Sequence, residues 1–166
     1  MADAMTAAPS FAARLRAGRP GRALLAGLGG GVTIAALAAV THLSGVLLLV
    51  APFGASCVLV FGVPGSTLAQ PRNVIGGHLV SSAVGLAVFA LLGASPLAFG
   101  LGVGGAIAAM LLSETTHPPA GADPIVVILA GASWGFLATP ILAGALAIVG
   151  LGWAYHRAVS GQRYPV

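Results

Sequence analysis

The chain has 166 residues, 58% of them hydrophobic and 6% charged, with a mean hydropathy of +1.02. Those values exclude an ordinary soluble globular domain, because apolar runs of this length have only lipid to hide in. Seven arginines, no lysine and three acids give a net charge of +4, and six of the arginines flank the apolar block. That placement reads as membrane topology and headgroup contact. Nucleic acid is not expected as a partner, since no basic stripe with interleaved aromatics is present.

Residues 1–22 form an Arg-rich tail ending in Arg14-Leu-Arg-Ala-Gly-Arg-Pro-Gly-Arg22, expected on the cytoplasmic side. Residues 23–156 read as a single membrane domain and 157–166 as a second cytoplasmic tail. The apolar segments lack strict alternation, so membrane helices are expected rather than a β-barrel. Ala23 to about Thr41 is the first span, rich in glycine that permits close helix contact in lipid. Gly45 to Val63 is long enough to cross but is interrupted at Pro52-Phe-Gly54. The next helix runs from about Val74 to Gly93, with Gly76, Gly77, Ser81 and Gly85 on a small-residue face. After Ser95-Pro96 comes Leu97–Leu112, short for a span. Ile125–Leu137 and Ile141–Tyr155 follow, separated by Thr139-Pro140. Trp153 and Tyr155 occupy the place of an interfacial aromatic belt, and His42 and His156 fall at segment ends.

A polar island, Glu114-Thr-Thr-His-Pro-Pro-Ala-Gly-Ala-Asp-Pro124, holds two of the three acids and one of the four histidines. Polar groups at membrane depth are costly and need a reason. A weaker copy lies upstream: Pro52-Phe-Gly-Ala-Ser56 lines up with Pro119-Ala-Gly-Ala-Asp123, and Gly27–Ala36 resembles Gly100–Ala109. The pattern predicts an all-α integral membrane protein of two repeats, about 23–93 and 97–156, each containing a helix broken at Pro-Gly. Four to six segments would cross the membrane. If both broken segments cross, the repeats are inverted, and Arg72 shares a side with the arginines of both termini. If both are re-entrant, Arg72 falls on the far side.

The breaks are the candidate substrate site, comprising Phe53, Gly54, Ala55 and Ser56 in the first, and His117, Pro118, Pro119, Ala120, Gly121 and Ala122 in the second. The N–H groups of a helix's first turn lack partners and carry partial positive charge, which suits an anion. Ser56 and Asp123 are expected as equivalent N-caps. Arg72 is a candidate for attracting anions to a pore mouth or for anchoring lipid phosphate, with Asn73 as the following N-cap. His78, inside the same helix, is a candidate anion donor or proton carrier, or a histidine bonded to a nearby carbonyl. Glu114 and His117, three apart, form a candidate proton relay, or else an end cap. No catalytic constellation, metal-ligand spacing or cofactor motif is recognisable, so the chain is not expected to be an enzyme. The single cysteine, Cys57, reads as a small buried hydrophobe.

At Ala51-Pro-Phe-Gly-Ala-Ser, Ala69-Gln-Pro-Arg-Asn-Val-Ile-Gly-Gly-His-Leu and His117-Pro-Pro-Ala-Gly-Ala the chain resembles the HPP family of integral membrane proteins. The likeness runs over roughly residues 20–155. It implies a multi-pass protein, usually described with four transmembrane helices. Through members associated with nitrite transport, it also implies movement of a small anion. Asp123-Pro124 stands where the family pattern has a small or hydroxyl residue. Together these readings give an inner-membrane, homo-oligomeric transporter of a small monovalent anion, nitrite being the candidate, with a membrane scaffold as the alternative.

Overall fold

The computed structural model describes residues 18–166, so nearly all of the expected N-terminal tail lies outside it. Its helix α1 (Arg19–Ser44) has 26 residues, a length of about 39 Å at the rise of an α-helix. It stops at Gly45, whose φ of 71° needs the left-handed backbone that glycine adopts freely, and whose N–H caps Thr41 O. The following residues form no regular element and turn back along α1, with Leu48 N–H donating to Thr41 Oγ1 at 2.9 Å. Pro52 then opens α2 (Pro52–Cys57), which widens into a π-helical turn over Val58–Gly62. A Cβ on Gly30 would lie 3.4 Å from Cys57, and one on Gly29 only 2.6 Å from the Phe61 ring, so this returning helix hugs α1.

A 3₁₀ turn, Thr67–Ala69, leads into α3 (Pro71–Leu92), which begins with proline at its first position. Ser95 caps α4 (Pro96–Leu112) by accepting from Ala98 N–H. α4 packs antiparallel on α3. The chain then climbs beside α3 through a 3₁₀ turn, Pro118–Ala122, and α5 (Asp123–Ala130). Trp134–Leu137 and Ala138–Leu142 lead into α6 (Ala143–Tyr155), which ends in a π-helical turn, His156–Ser160.

Three stretches are long and apolar enough to cross a membrane: Arg19–Ser44, Pro71–Leu92 and Trp134–Ser160. The shorter apolar helices are Pro52–Gly62, Pro96–Leu112 and Pro118–Ala130. At their lengths, the first and last reach only about 16–20 Å, short of a hydrocarbon core of about 30 Å.

One core lies where α1, α2 and α6 meet, built from Leu37, Phe53, Val60, Phe61, Ile141 and Ile148. The Phe53 ring and Leu48 O occupy the space where Gly144 has no side chain. The second contact is the α3 face against residues 115–124, the small-residue face expected from the sequence. A Cβ on Gly77 would fall 2.6 Å from His117 Cβ and 2.8 Å from Thr115 O; one on Gly85 would fall 2.7 Å from Pro124 Cα. Backbone atoms cannot swing aside as a side-chain tip can. Gly77→Ala is therefore expected to destabilise the fold by about 1–3 kcal/mol, as overpacking does, and to lower the thermal midpoint in detergent.

Several local expectations are corrected. Asn73 is not a cap: it sits inside the first turn of α3, and its Nδ2 donates to Thr116 O at 2.9 Å. Ser56 lies within α2 and Asp123 turns its carboxylate away from the helix start, so neither acts as an N-cap. Residues 157–166 are no free tail. Tyr164 is 5% exposed and its hydroxyl donates to Ala69 O, while Val166 N–H donates to Gln70 Oε1. Burial pushes the Tyr164 hydroxyl up to about 12, which keeps it a donor. His156 is fully buried, and its Nε2 donates to Val60 O at 2.8 Å. These contacts gather the C-terminus, Arg22 and the start of α3 at one end of the bundle.

Candidate functional site

Four polar side chains from three separate segments converge with 0–1% exposure. Ser56 comes from α2, His78 from α3, and His117 and Asp123 flank the 3₁₀ turn before α5. The local sequence explains the convergence. His78, Ser81 and Ser82 are spaced i, i+3 and i+4 and so share a face of α3. Gly77 and Gly85 on that helix leave room for residues 115–124 to approach. Ser81 Oγ fixes the depth of the 3₁₀ turn by donating to Ala120 O at 2.6 Å.

The resulting network is continuous. Asp123 Oδ2 lies 2.8 Å from His78 Nδ1 and accepts from Ser82 Oγ at 3.2 Å. His78 Nε2 lies 2.8 Å from Ser56 Oγ, which lies 2.8 Å from His117 Nε2. His117 Nδ1 donates to Leu68 O at 2.8 Å, the role left to a ring nitrogen facing a carbonyl. The Phe53 ring meets His78 edge-on with centroids 5.0 Å apart, and His78 and His117 are themselves 5.0 Å apart. Asp123 Oδ1 is buried with no hydrogen-bond partner among the described residues.

Of the sequence candidates, Ser56, His78 and His117 are brought together, with Phe53, Pro119 and Ala120 buried around them. Gly54, Ala55, Pro118 and Ala122 are exposed and Gly121 is half-buried. Gly54 borders an apolar groove of about 480 Å³ with Ala26, Gly30, Gly31 and Ile34, on the face of α2 away from the network. The expected free donors are in use. Phe53 N–H and Gly54 N–H donate to Val50 O and Ala51 O, and Ala120 N–H to His117 O. The space between the two breaks is filled by Ser56, His78 and His117.

Arg72 and Glu114 lie apart from this cluster. They pair at 3.3 Å in a setting where their side chains are 63% and 80% exposed. Glu114 and His117 do not form the expected relay. α4 ends at Leu112, and Glu114 adopts a left-handed φ of 54°, so a three-residue spacing no longer places both on one face. Exposed pairs contribute about 0–1 kcal/mol. Glu114→Gln should therefore leave the thermal midpoint and any pH response of the protein essentially unchanged, which a melting series across pH would check.

Asp123 is the site residue that sequence reasoning missed, reading it only as a cap. The sequence signal available was a carboxylate inside an otherwise apolar run, in a chain whose helix α3 carries His78 on a small-residue face. Residues 16–165 match the family described as HPP, transmembrane region. The chain belongs to the HPP transmembrane family. A transmembrane protein of Dictyostelium discoideum is 34% identical over 128 residues, 72% of this chain and 41% of the relative. A second from the same organism is 33% identical over 126 residues, 71% of this chain and 44% of the relative. The chain thus spans less than half the length of these relatives. No solved structure matches it.

Proposed function

We propose that this HPP-family chain moves a small monovalent anion across the membrane, nitrite being the first candidate, with the Ser56–His78–His117–Asp123 cluster as its working centre. One observation carries the reading: three histidine and carboxylate groups, with a serine between them, sit fully buried inside a membrane domain. Ionisable groups at that depth are costly, and the common reason for keeping them is a substrate or proton path. Two half-length helices, Pro52–Gly62 and Pro118–Ala130, meet at this cluster from opposite directions. Broken helices meeting near mid-membrane are the usual setting of transporter sites. The closed packing corresponds to a state between openings to the two sides. In that state the anion is excluded, and a small separation of α2 from the 3₁₀ turn would expose Ser56, His78 and His117 as donors.

We read the chain as making six traverses arranged as inverted repeats, in an inner membrane. The return along α1 is completed by the non-helical stretch before Pro52, and residues 113–117 do the same for the second half. Arg72 then shares a side with both termini. In a Cys57→Ala background, Thr67→Cys should react with an impermeant thiol reagent from the side of the termini and Leu92→Cys from the other. Labelling of Thr67→Cys from the far side and of Leu92→Cys from the side of the termini would mean that 46–62 is re-entrant.

The function is tested by entry of nitrite, formate and chloride into liposomes containing the purified full chain, read by stopped-flow light scattering. Entry of at least one anion above that of protein-free liposomes is expected. Entry of all three no faster than into protein-free liposomes would favour the scaffold reading. In that reading the apolar groove beside α1 would seat another helix, and the protein would assemble as a homo-oligomer.

A further inference from the structure

We infer that the buried network is a single-proton site in which the Ser56 hydroxyl passes a proton between the Asp123–His78 pair and His117. The inference follows from counting donors against acceptors. Leu68 O can only accept, so His117 Nδ1 carries a hydrogen. A neutral His117 then has a bare Nε2, and the donor facing it is the Ser56 hydroxyl at 2.8 Å. Ser56 has one hydrogen. Once it is given to His117, Ser56 Oγ must accept from His78, so His78 Nε2 carries a hydrogen. One proton remains between His78 Nδ1 and Asp123 Oδ2, either as imidazolium facing carboxylate or as neutral imidazole facing carboxylic acid. In either form every short contact has one hydrogen in it.

The same proton count has one other fully bonded arrangement. His78 keeps its hydrogen on Nδ1 toward Asp123, Ser56 donates to His78 Nε2, and His117 Nε2 donates to Ser56 Oγ. The charge then sits on His117. Passing between the two forms breaks the His78 Nε2–H bond and makes a new Ser56 O–H bond, while the old Ser56 hydrogen goes to His117 Nε2. Atoms and charge balance without any co-reactant. Remove the proton, and one of the 2.8 Å contacts faces two lone pairs. Add a second, and the Ser56 hydrogen must fall back on Pro52 O at 3.3 Å. One proton is therefore the count the geometry fits.

Among the described residues, the surroundings bring no rival titrating group to the network. α3 contributes His78, with Arg72 exposed at its start; α2 contributes Ser56, with Cys57 bordering the groove beside α1; and the turn into α5 contributes His117 and Asp123. α4 carries no ionisable side chain, and the Tyr155 and His156 rings of the last helix lie against Phe61. The unpartnered Asp123 Oδ1 marks the end at which a water would deliver or take the proton.

The inference deepens the transport reading by naming the proton as the anion's co-substrate, yet its first test does not depend on transport. Full-length protein with ¹⁵N-labelled histidine is reconstituted in lipid and studied by solid-state NMR, with His78→Gln and His117→Gln for assignment. The expected result at neutral pH is both histidines with a hydrogen on at least one nitrogen, His117 bearing it on Nδ1, and the His78–Asp123 pair holding its shared proton. A His117 protonated on Nε2 alone, or a His78 with Nε2 bare beside a neutral His117, would overturn the assignment. The second test follows internal pH and nitrite together in liposomes. Acidification should accompany nitrite entry, and Ser56→Ala should reduce this coupled entry about a hundredfold, as loss of a proton-transfer group does. Nitrite entry without protein-dependent acidification would overturn the coupling and leave transport standing. An absence of all anion entry would overturn transport, with the NMR result still deciding the proton site.

Discussion

Replacing Asp123 with alanine is expected to cost about 3–5 kcal/mol of stability, the range found when one member of a buried pair is removed. His78 would lose the acceptor 2.8 Å from its Nδ1, and Ser82 the oxygen at 3.2 Å, both at fully buried positions. Asp123→Asn keeps the shape and a carbonyl oxygen, so most of the stability should survive. Thermal unfolding of both variants in detergent tests the difference. A midpoint for Asp123→Ala equal to that of Asp123→Asn would show that the pair contributes nothing to holding α3 against α5.

Phe53→Ala carries the second large effect, a loss of about 3–5 kcal/mol as expected for removing a buried aromatic. Its ring is fully buried, fills the space over Gly144 and stands edge-on to His78. Helices in lipid are held by such van der Waals fit more than by exclusion of water. The vacated volume would also loosen the wall of the polar network. Phe53→Leu, retaining most of the volume, should recover more than half of the lost midpoint. If the alanine variant melts like the parent, Phe53 does not join α2 to α6.

The positions of Phe53 and Asp123 show how far the sequence could be read. Apolar run length and the Pro-Gly segments located the helices, because lipid leaves few options for an uncharged stretch of this length. His78 and His117 stood out because polar groups at that depth are rare. What stayed hidden was pairing across the chain. Asp123 bonds a residue 45 positions away, and Ser56 one 61 positions away. A local Asp-Pro pattern reads as a helix cap, and only tertiary packing reveals that a buried carboxylate has found a histidine. The Glu114–His117 spacing misled for the opposite reason, since it assumed a helix that had already ended at Leu112. The anion site proposed from free N–H groups failed because a preceding turn used those donors first, at Phe53 and Gly54.

The backbone N–H groups of the two helix starts are already bonded, and the side chains packed between them form the buried polar cluster. Ser56 and His117, one from each Pro-Gly segment, meet at 2.8 Å in that cluster. Gly54, facing the groove beside α1, leaves the site altogether.

The most direct measurement compares nitrite entry into liposomes containing the parent chain or Asp123→Asn, at matched protein content and with each protein's thermal midpoint recorded. Asparagine preserves the packing but cannot share the proton with His78. Entry through the parent and a fall of about a hundredfold in the variant, as for removal of an acid–base group, is the predicted result. Equal entry through two equally stable proteins would contradict the assignment of function to this network.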